Sequence, residues 1–334
     1  MLDLAVIIPC YNEGVAINSV LNNLLISIRP MLVYRRCRIY VYDNNSTDST
    51  CAVVDNFITE HPELHGLIVL RHALMQGKGF VIRQAFGEIN AKCYCMIDGD
   101  DTYDTSKLGE MFDKVNREHF DMVVGDRLST SYFSENKRLF HNFGNRLVRQ
   151  SVNKIFGVDY SDILSGFRMF SYAFVKTFPI TSGGFTLETE MNIHAAEHNL
   201  RVAYVPVGYR DRRDGSCSKL RTVPDGLRVI KKIIGMVSLY RPVLFYSFIA
   251  LVLAALGVGF GVPVLVDYFN TGQVARFPTL IVCGFTMLAA LLNYFMGILQ
   301  VTNNVRARQQ FELSYTDSMT KYLYLLNADD IGDT

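Results

Sequence analysis

Net charge is almost missing from this chain: 33 Lys and Arg face 32 Asp and Glu, leaving +1 over 334 residues. That balance argues against a nucleic-acid binder, whose footprint is basic. Charge of either sign is absent from Val243 to Val266 and again from Phe277 to Val305. Each stretch is long enough to cross a bilayer as one helix, and neither shows the polar face that a core helix of a soluble protein carries. The seven cysteines (Cys10, Cys37, Cys51, Cys93, Cys95, Cys217 and Cys283) are odd in number and lack metal-type pairing, so they read as reduced and mostly buried. Nothing matches G-x-x-x-x-G-K-[ST], which excludes a P-loop kinase or ATPase. Tryptophan is absent altogether. The opening "MLDLAVIIPCYNE" has an apolar run too short for a secretory leader and is expected to be a first strand, which would keep this portion in the cytoplasm.

What is present has a clear rhythm. The short apolar runs "LAVII", "CRIYVY", "GLIVL", "CYCMI" and "DMVV" alternate with stretches of helical length. This predicts an α/β fold with a doubly wound sheet. A catalytic domain is expected over 1–221, followed by an amphipathic juxtamembrane helix at 222–241. Two spans, about 243–266 and 278–302 within 242–305, and a C-terminal tail at 306–334 complete the chain. In "TVPDGLRVIKKIIGMVSLY", Leu227, Ile230, Ile233, Ile234 and Val237 share one helical face. That stripe suits a membrane interface or packing on the globular domain equally. Lys231, Lys232 and Arg241 precede the first span and Arg306 and Arg308 follow the second, so both outer ends of the hairpin are expected in the cytoplasm.

In doubly wound sheets, ligands bind beyond the carboxyl ends of the strands. The polar clusters fall there: Pro9 to Glu13, "DNNSTD" from Asp43, "QGKG" from Gln76, and "DGDDTYD" from Asp98. An Asp-rich loop can be only a solvated turn. Four polar loops on one edge instead make a pocket. Asp98-Gly99-Asp100 offers two carboxylates around a tight turn, suited to a hard divalent cation, Mg2+ or Mn2+, shared with phosphate oxygens. The neighbouring loops carry donors, Asn44, Ser46 and Thr47 after the second strand, and Gly77-Lys78-Gly79, whose backbone amides and ammonium could face phosphate. Downstream lie Arg127, "DILSGFR", "GGFTLETEM" and "RRDGSCSKL". Asp162 could simply pair with Arg168, and Glu188 and Glu190 could be an exposed and a capping acid. Arg212, Arg213 and Lys219, close before the apolar segments, suit a solvated loop or an anionic headgroup.

Together "IIPCYNE", "DNNSTDST", "GKG", "DGD", "VVGDR", "SGFRMF", "GFTLETEM", "RRDGSCSKL" and the two-helix end resemble family 2 glycosyltransferases of the GT-A fold. The likeness is to the branch that includes dolichyl-phosphate mannosyltransferase and bactoprenol glucosyltransferase, and it covers almost the whole chain. It implies that Pro9, Tyr11, Glu13, Asp43, Lys78 and Asp98 line the nucleotide pocket, and that Asp98 and Asp100 hold the metal-diphosphate. It also implies that Arg127, Arg213, Ser216 and Lys219 meet the acceptor phosphate, with Ser165, Glu188 and Glu190 near the sugar or acceptor. Catalysis would rest on Asp98, Asp100 and Arg127. Two departures stand out: Asp43-Asn44-Asn45-Ser46 replaces a common Asp-Asp-Gly-Ser, and Thr102 replaces a Gln found in relatives.

An acceptor phosphate monoester is already ionised near neutral pH and can attack the anomeric carbon without a general base. In-line displacement on an α-linked nucleotide sugar gives a β-linked lipid phosphate. The implied partners are a nucleotide sugar, polyprenyl phosphate and the membrane, with no nucleic acid and self-association left open. The implied donor is UDP-glucose, with UDP-GlcNAc or GDP-mannose as alternatives. A polysaccharide synthase would carry Gln-x-x-Arg-Trp, which a chain without Trp cannot. A silent scaffold on the same core would be expected to lack the DxD, and a soluble pyrophosphorylase would lack the hairpin.

Overall fold

The computed structural model describes residues 1–128, 139–180, 187–210 and 234–332, without side chains at 139–145 and 328–332. The chain divides into two compact units, Met1–Leu220 with Phe311–Thr334, and Arg221–Gln310.

In the first unit, β1 (Leu2–Cys10), α1 (Ile17–Leu32), β2 (Cys37–Asp43), α2 (Thr50–Glu60), β3 (Ile68–His72), α3 (Lys78–Glu88) and β4 (Ala91–Met96) come first. They are followed by α4 (Leu108–Asn116), β5 (Met122–Asp126), α5 (Leu139–Phe156), β6 (Arg168–Ser171), α6 (Tyr172–Thr177), α7 (Leu187–Glu197) and β7 (Val202–Pro206). The strands form one sheet of order β3-β2-β1-β4-β6-β5-β7. β1 runs parallel to β2 and β4, whereas β6 is antiparallel to both β4 and β5, so the sheet is mixed.

Alternation along β1 explains its central place. Leu4, Val6 and Ile8 enter one core, Ala5 and Ile7 the other, and all five are fully buried. A strand covered on both faces needs apolar residues at every position, and "LAVII" supplies them. The five expected strands coincide with β1 to β5. The sequence did not single out β6 and β7 as strands. The described cysteines Cys10, Cys37, Cys51, Cys93, Cys95 and Cys283 are all free thiols.

In the second unit, the described residues 234–240 are helical, and those before them in the expected amphipathic segment lie outside the described residues. Helix α8 (Pro242–Thr271) and the apolar start of α9 (Phe277–Gly332) are each long and apolar enough to cross a membrane. They pack antiparallel through small residues. Gly257 and Gly261, one turn apart, face Met287 and Cys283, and Gly297 faces Tyr246. A Cβ at Gly257 would lie 2.8 Å from the Met287 sulfur, so a larger residue there would make that side chain move.

The expected tail at 306–334 is not a separate segment. Helix α9 runs on to Gly332, and its residues from Phe311 belong to the first unit. Phe311 stacks on His198 with ring centroids 3.6 Å apart, the Tyr315 hydroxyl donates to Asp121 Oδ1 at 3.3 Å, and Tyr322 meets Tyr172 at 5.2 Å. The spacing of Phe311, Tyr315 and Tyr322 makes one helical stripe, which gives this stretch a face to bury.

Candidate active site

The loops after β1, β2 and β3 are tied to one another by their own polar groups. Asn12, at φ 56°, donates its backbone N–H to Ser46 Oγ at 3.0 Å and accepts from Thr47 N at 2.8 Å. Glu13 N donates to Thr50 Oγ1 at 2.9 Å, and Gly77 N donates to Asn44 Oδ1 at 2.7 Å. Asn44, Ser46 and Thr47, expected as donors in the pocket loops, hold those loops together. Pro9 is in β1 opposite Tyr42, and Tyr11 and Glu13 are half-buried in the loop that follows.

Asp43 closes β2 and is buried. Its Oδ1 accepts from Ser46 N at 3.0 Å and its Oδ2 lies 3.5 Å from His72 Nδ1. Burial pushes its pKa up, but bonds from Ser46, Cys51 and His72 outweigh burial and hold the carboxyl below its usual range.

Beyond β4 the opening acids separate into distinct roles. Asp98 Oδ1 accepts from Lys78 Nζ at 2.5 Å, and the same ammonium donates to Glu188 Oε1 at 2.5 Å. Burial lowers the Lys78 pKa, but the two carboxylates outweigh it and hold the ammonium above the ordinary lysine value. Asp100 is buried, and the Thr102 hydroxyl donates to its Oδ1 at 2.7 Å. Thr102 thus orients Asp100. Asp101, at φ 59°, accepts from Asn23 Nδ2 at 3.0 Å, and Asp104 accepts from Ser106 N at 2.9 Å. Gly99 is required by contact, since a Cβ there would lie 2.8 Å from Cys10 Sγ.

The loop preceding β6 completes the floor. A Cβ on Gly166 would overlap Asp98 Oδ2 and come within 2.7 Å of its Cγ. Gly166 N donates to the Tyr103 hydroxyl at 2.7 Å. Arg168 is fully buried and donates to Ser165 O at 2.7 Å and Ile163 O at 3.0 Å. Asn192 Nδ2 donates to Ile163 O at 2.9 Å and Glu188 O at 2.7 Å, joining that loop to the first turn of α7. The possible local pairing of Asp162 with Arg168 is not among the ion pairs of the described residues. Asp162 pairs instead with Arg127, whose Nε lies 2.9 Å from Oδ2, while the Arg127 guanidinium sits 5.5 Å from the Tyr209 ring centre. The backbone turn around Arg168 offers it carbonyls, which leaves Asp162 for the arginine at the end of β5.

Ser165 is fully buried and its hydroxyl accepts from Phe167 N at 3.3 Å, so it shapes the turn. Glu190 is half-buried two residues beyond Glu188, which turns it to another side of α7. Arg213, Ser216 and Lys219 lie outside the described residues. The sequence did not reveal the parts played by Gly166, Tyr103, Arg168 and Asn192. For Gly166 a signal existed, a lone glycine between Ser165 and Phe167, which is how a close backbone approach looks in a sequence.

A GT-A sheet with a DxD loop at its carboxyl edge defines a family comparison, and residues 5–179 match the model of Glycosyl transferase family 2. The chain belongs to that family. It is 28% identical over 270 residues to glycosyltransferase AglJ of Haloferax volcanii, covering 79% of this chain and 81% of the relative. It is 24% identical to a dolichyl-phosphate beta-glucosyltransferase of Saccharomyces cerevisiae, covering 69% of this chain and 73% of the relative. Among solved structures, glucosyl-3-phosphoglycerate synthase of Mycobacterium tuberculosis, crystallised with Mn2+, UDP and glucosyl-3-phosphoglycerate, superposes with a TM-score of 0.51 at 17% identity. The match covers 71% of this chain and 79% of that one, and it shows the shared fold. The chain is a glycosyltransferase.

Gly166→Ala tests the contact that seats Asp98. The variant is expected to fold with a lowered thermal midpoint, because Asp98 can no longer seat fully on Lys78, and to lose about a hundredfold in transferase kcat/KM, the scale of a 1 Å misplacement in an active site. Activity within about twofold of the parent would show that the Asp98 seat is not needed.

Proposed function

We propose that this transferase moves one hexose, glucose first among candidates, from a nucleotide sugar to polyprenyl phosphate with inversion. The observation that carries the proposal is that one chain joins two bilayer-length apolar helices to a sheet edge bearing Asp98, Asp100 and Lys78. A soluble acceptor would give the helices no purpose. The likeness to a dolichyl-phosphate beta-glucosyltransferase supports a lipid phosphate acceptor and a glucosyl donor.

Within this reading Pro9, Tyr11, Glu13 and Asp43 take the nucleoside, with the lowered Asp43 pKa keeping a hydrogen-bond acceptor ready for the base. Asp98 and Asp100 are the oxygen donors that would hold Mg2+ or Mn2+, and their hard carboxylates fit such an ion. Bound there, the ion would neutralise charge on the leaving diphosphate. Lys78 holds Asp98 in place, and Glu188 holds Lys78 from its other side. Arg127, steadied by Asp162, is assigned with Arg213, Ser216 and Lys219 to the acceptor phosphate. The attacking oxygen is already anionic near neutral pH, so no residue is assigned as general base.

The test is a panel of labelled UDP-glucose, UDP-GlcNAc and GDP-mannose incubated with membranes and polyprenyl phosphate, followed by lipid extraction. A single labelled lipid is expected from UDP-glucose, lost with chelator and with Asp100→Ala, which should retain less than about a hundredth of the rate. Label entering another glycolipid changes the sugar and keeps the acceptor; label entering polymer, or none entering lipid, overturns the acceptor.

We also infer a multi-pass protein of the cytoplasmic membrane, with the catalytic unit in the cytoplasm and the short turn between α8 and α9 outside. Basic residues flank only the outer ends of the apolar stretches. A Thr271→Cys variant should react with an impermeant thiol reagent in intact cells. Reaction only after permeabilisation would reverse the orientation.

A further inference from the structure

Asp43, Cys51 and His72 bring three kinds of metal ligand to one place on the sheet margin. Asp43 ends β2, His72 lies opposite it at the end of the edge strand β3, and Cys51 stands in the first turn of α2. A carboxylate oxygen, a thiol sulfur and an imidazole nitrogen all lie within 4.8 Å of one another, and His72 Nδ1 is 3.5 Å from Asp43 Oδ2. No part of this trio belongs to the Asp98–Asp100 pair.

We propose that this trio binds a thiophilic divalent cation of the zinc class, and that the bound cation blocks the nucleobase from Asp43. The second clause rests on the assignment of Asp43 to the base; the first does not.

The donor set decides the class of ion. Mg2+ and Mn2+ favour oxygen, whereas one sulfur, one nitrogen and one carboxylate oxygen suit tetrahedral zinc with water in the fourth position. Zinc bonds of about 2.0 Å to nitrogen or oxygen and 2.3 Å to sulfur place neighbouring ligand atoms about 3.3 to 3.6 Å apart. The Asp43–His72 pair already has that separation. The His72 side chain is 69% exposed, which leaves it room to rotate inward and leaves the ion a way in. The Asp43 carboxylate is fixed from behind by Ser46 N, the outer hydrogen bond that orients a ligating carboxylate.

Protonation sets the cost. Burial, with the charge of Asp43 adding to it, pushes the Cys51 thiol up to about 11, so the cation must displace a proton there, as zinc does at cysteine. The ion displaces the thiol proton, while the imidazole binds through Nδ1 as the neutral ring with its N–H on Nε2. Once the ion holds Asp43, that carboxylate can no longer accept from a base, so zinc and nucleotide exclude one another.

The experiment titrates the purified full-length chain with ZnCl2 by calorimetry in TCEP and excess Mg2+, with and without UDP. One Zn2+ per chain is expected. Cys51→Ser and His72→Ala should each weaken binding at least about a hundredfold while leaving the thermal midpoint near the parent. Saturating UDP should raise the apparent Zn2+ Kd, and Zn2+ should weaken UDP by the same factor. Absence of stoichiometric binding, or binding that both variants leave unchanged, overturns the site. Binding lost in both variants but indifferent to UDP keeps the cation site and overturns its link to the base, which is a failure of the Asp43 assignment. Loss of labelled lipid product with Zn2+ binding intact would count against the proposed acceptor alone.

Discussion

One ammonium, Lys78 Nζ, sits between the carboxylates of Asp98 and Glu188, and the site is arranged around it. The three residues come from the start of α3, the loop after β4 and the first turn of α7. Burying charge is costly unless the partners are close and hydrogen-bonded, and removing one partner of a buried pair costs about 3–5 kcal/mol. A site built this way is held together by mutual need. Two carboxylates brought together without the lysine would repel, and the lysine without them would be driven towards neutrality by burial. Each loop is therefore anchored by charge as well as by packing.

The next layer makes that arrangement permanent. Gly166 offers no side chain where Asp98 lies, Arg168 and Asn192 share the Ile163 carbonyl, and Asn192 also reaches the Glu188 backbone. A displacement in the turn before β6 would therefore pass directly to both acids that hold Lys78. At its far end α7 presents His194 to Phe311, and His198, just beyond the helix, stacks on the same ring. Burial and the neighbouring His198 lower the His194 pKa to about 3, so His194 stays uncharged in the physiological range. The helix carrying Glu188 is thus packed at one end by an aromatic contact and held at the other by an ion pair.

Much of this was legible in the sequence where the signal was local. β1 to β5 announced themselves because strands buried on both faces are continuous apolar runs, and the polar loops at their carboxyl ends marked the pocket edge. β6 and β7 were not, because "RMFS" and "VAYVP" are short and the first begins with an arginine. Asp98, Asp100, Lys78 and Glu188 were all singled out, yet nothing local says that Lys78 belongs with Glu188, 110 positions away. For Asp162 the sequence offered Arg168 only as a possible local partner, because sequence distance was the only guide; the fold gives Arg168 backbone carbonyls and gives Asp162 to Arg127. The length of α9 was hidden by its change of character, apolar first and then striped with aromatics.

A double-mutant cycle on thermal unfolding of the full chain tests the central claim, that one partly buried ammonium holds two carboxylates and with them three loops. Lys78→Met leaves Asp98 and Glu188 facing each other, Glu188→Gln removes one half of the clamp, and the double variant removes the repulsion that the first creates. The two singles are expected to lower stability, and the double to be less destabilised than their sum by about 1.5 kcal/mol or more, within the range measured for charged neighbours. Additivity to within about 0.5 kcal/mol would contradict the account, because it would mean that the two residues do not act on each other.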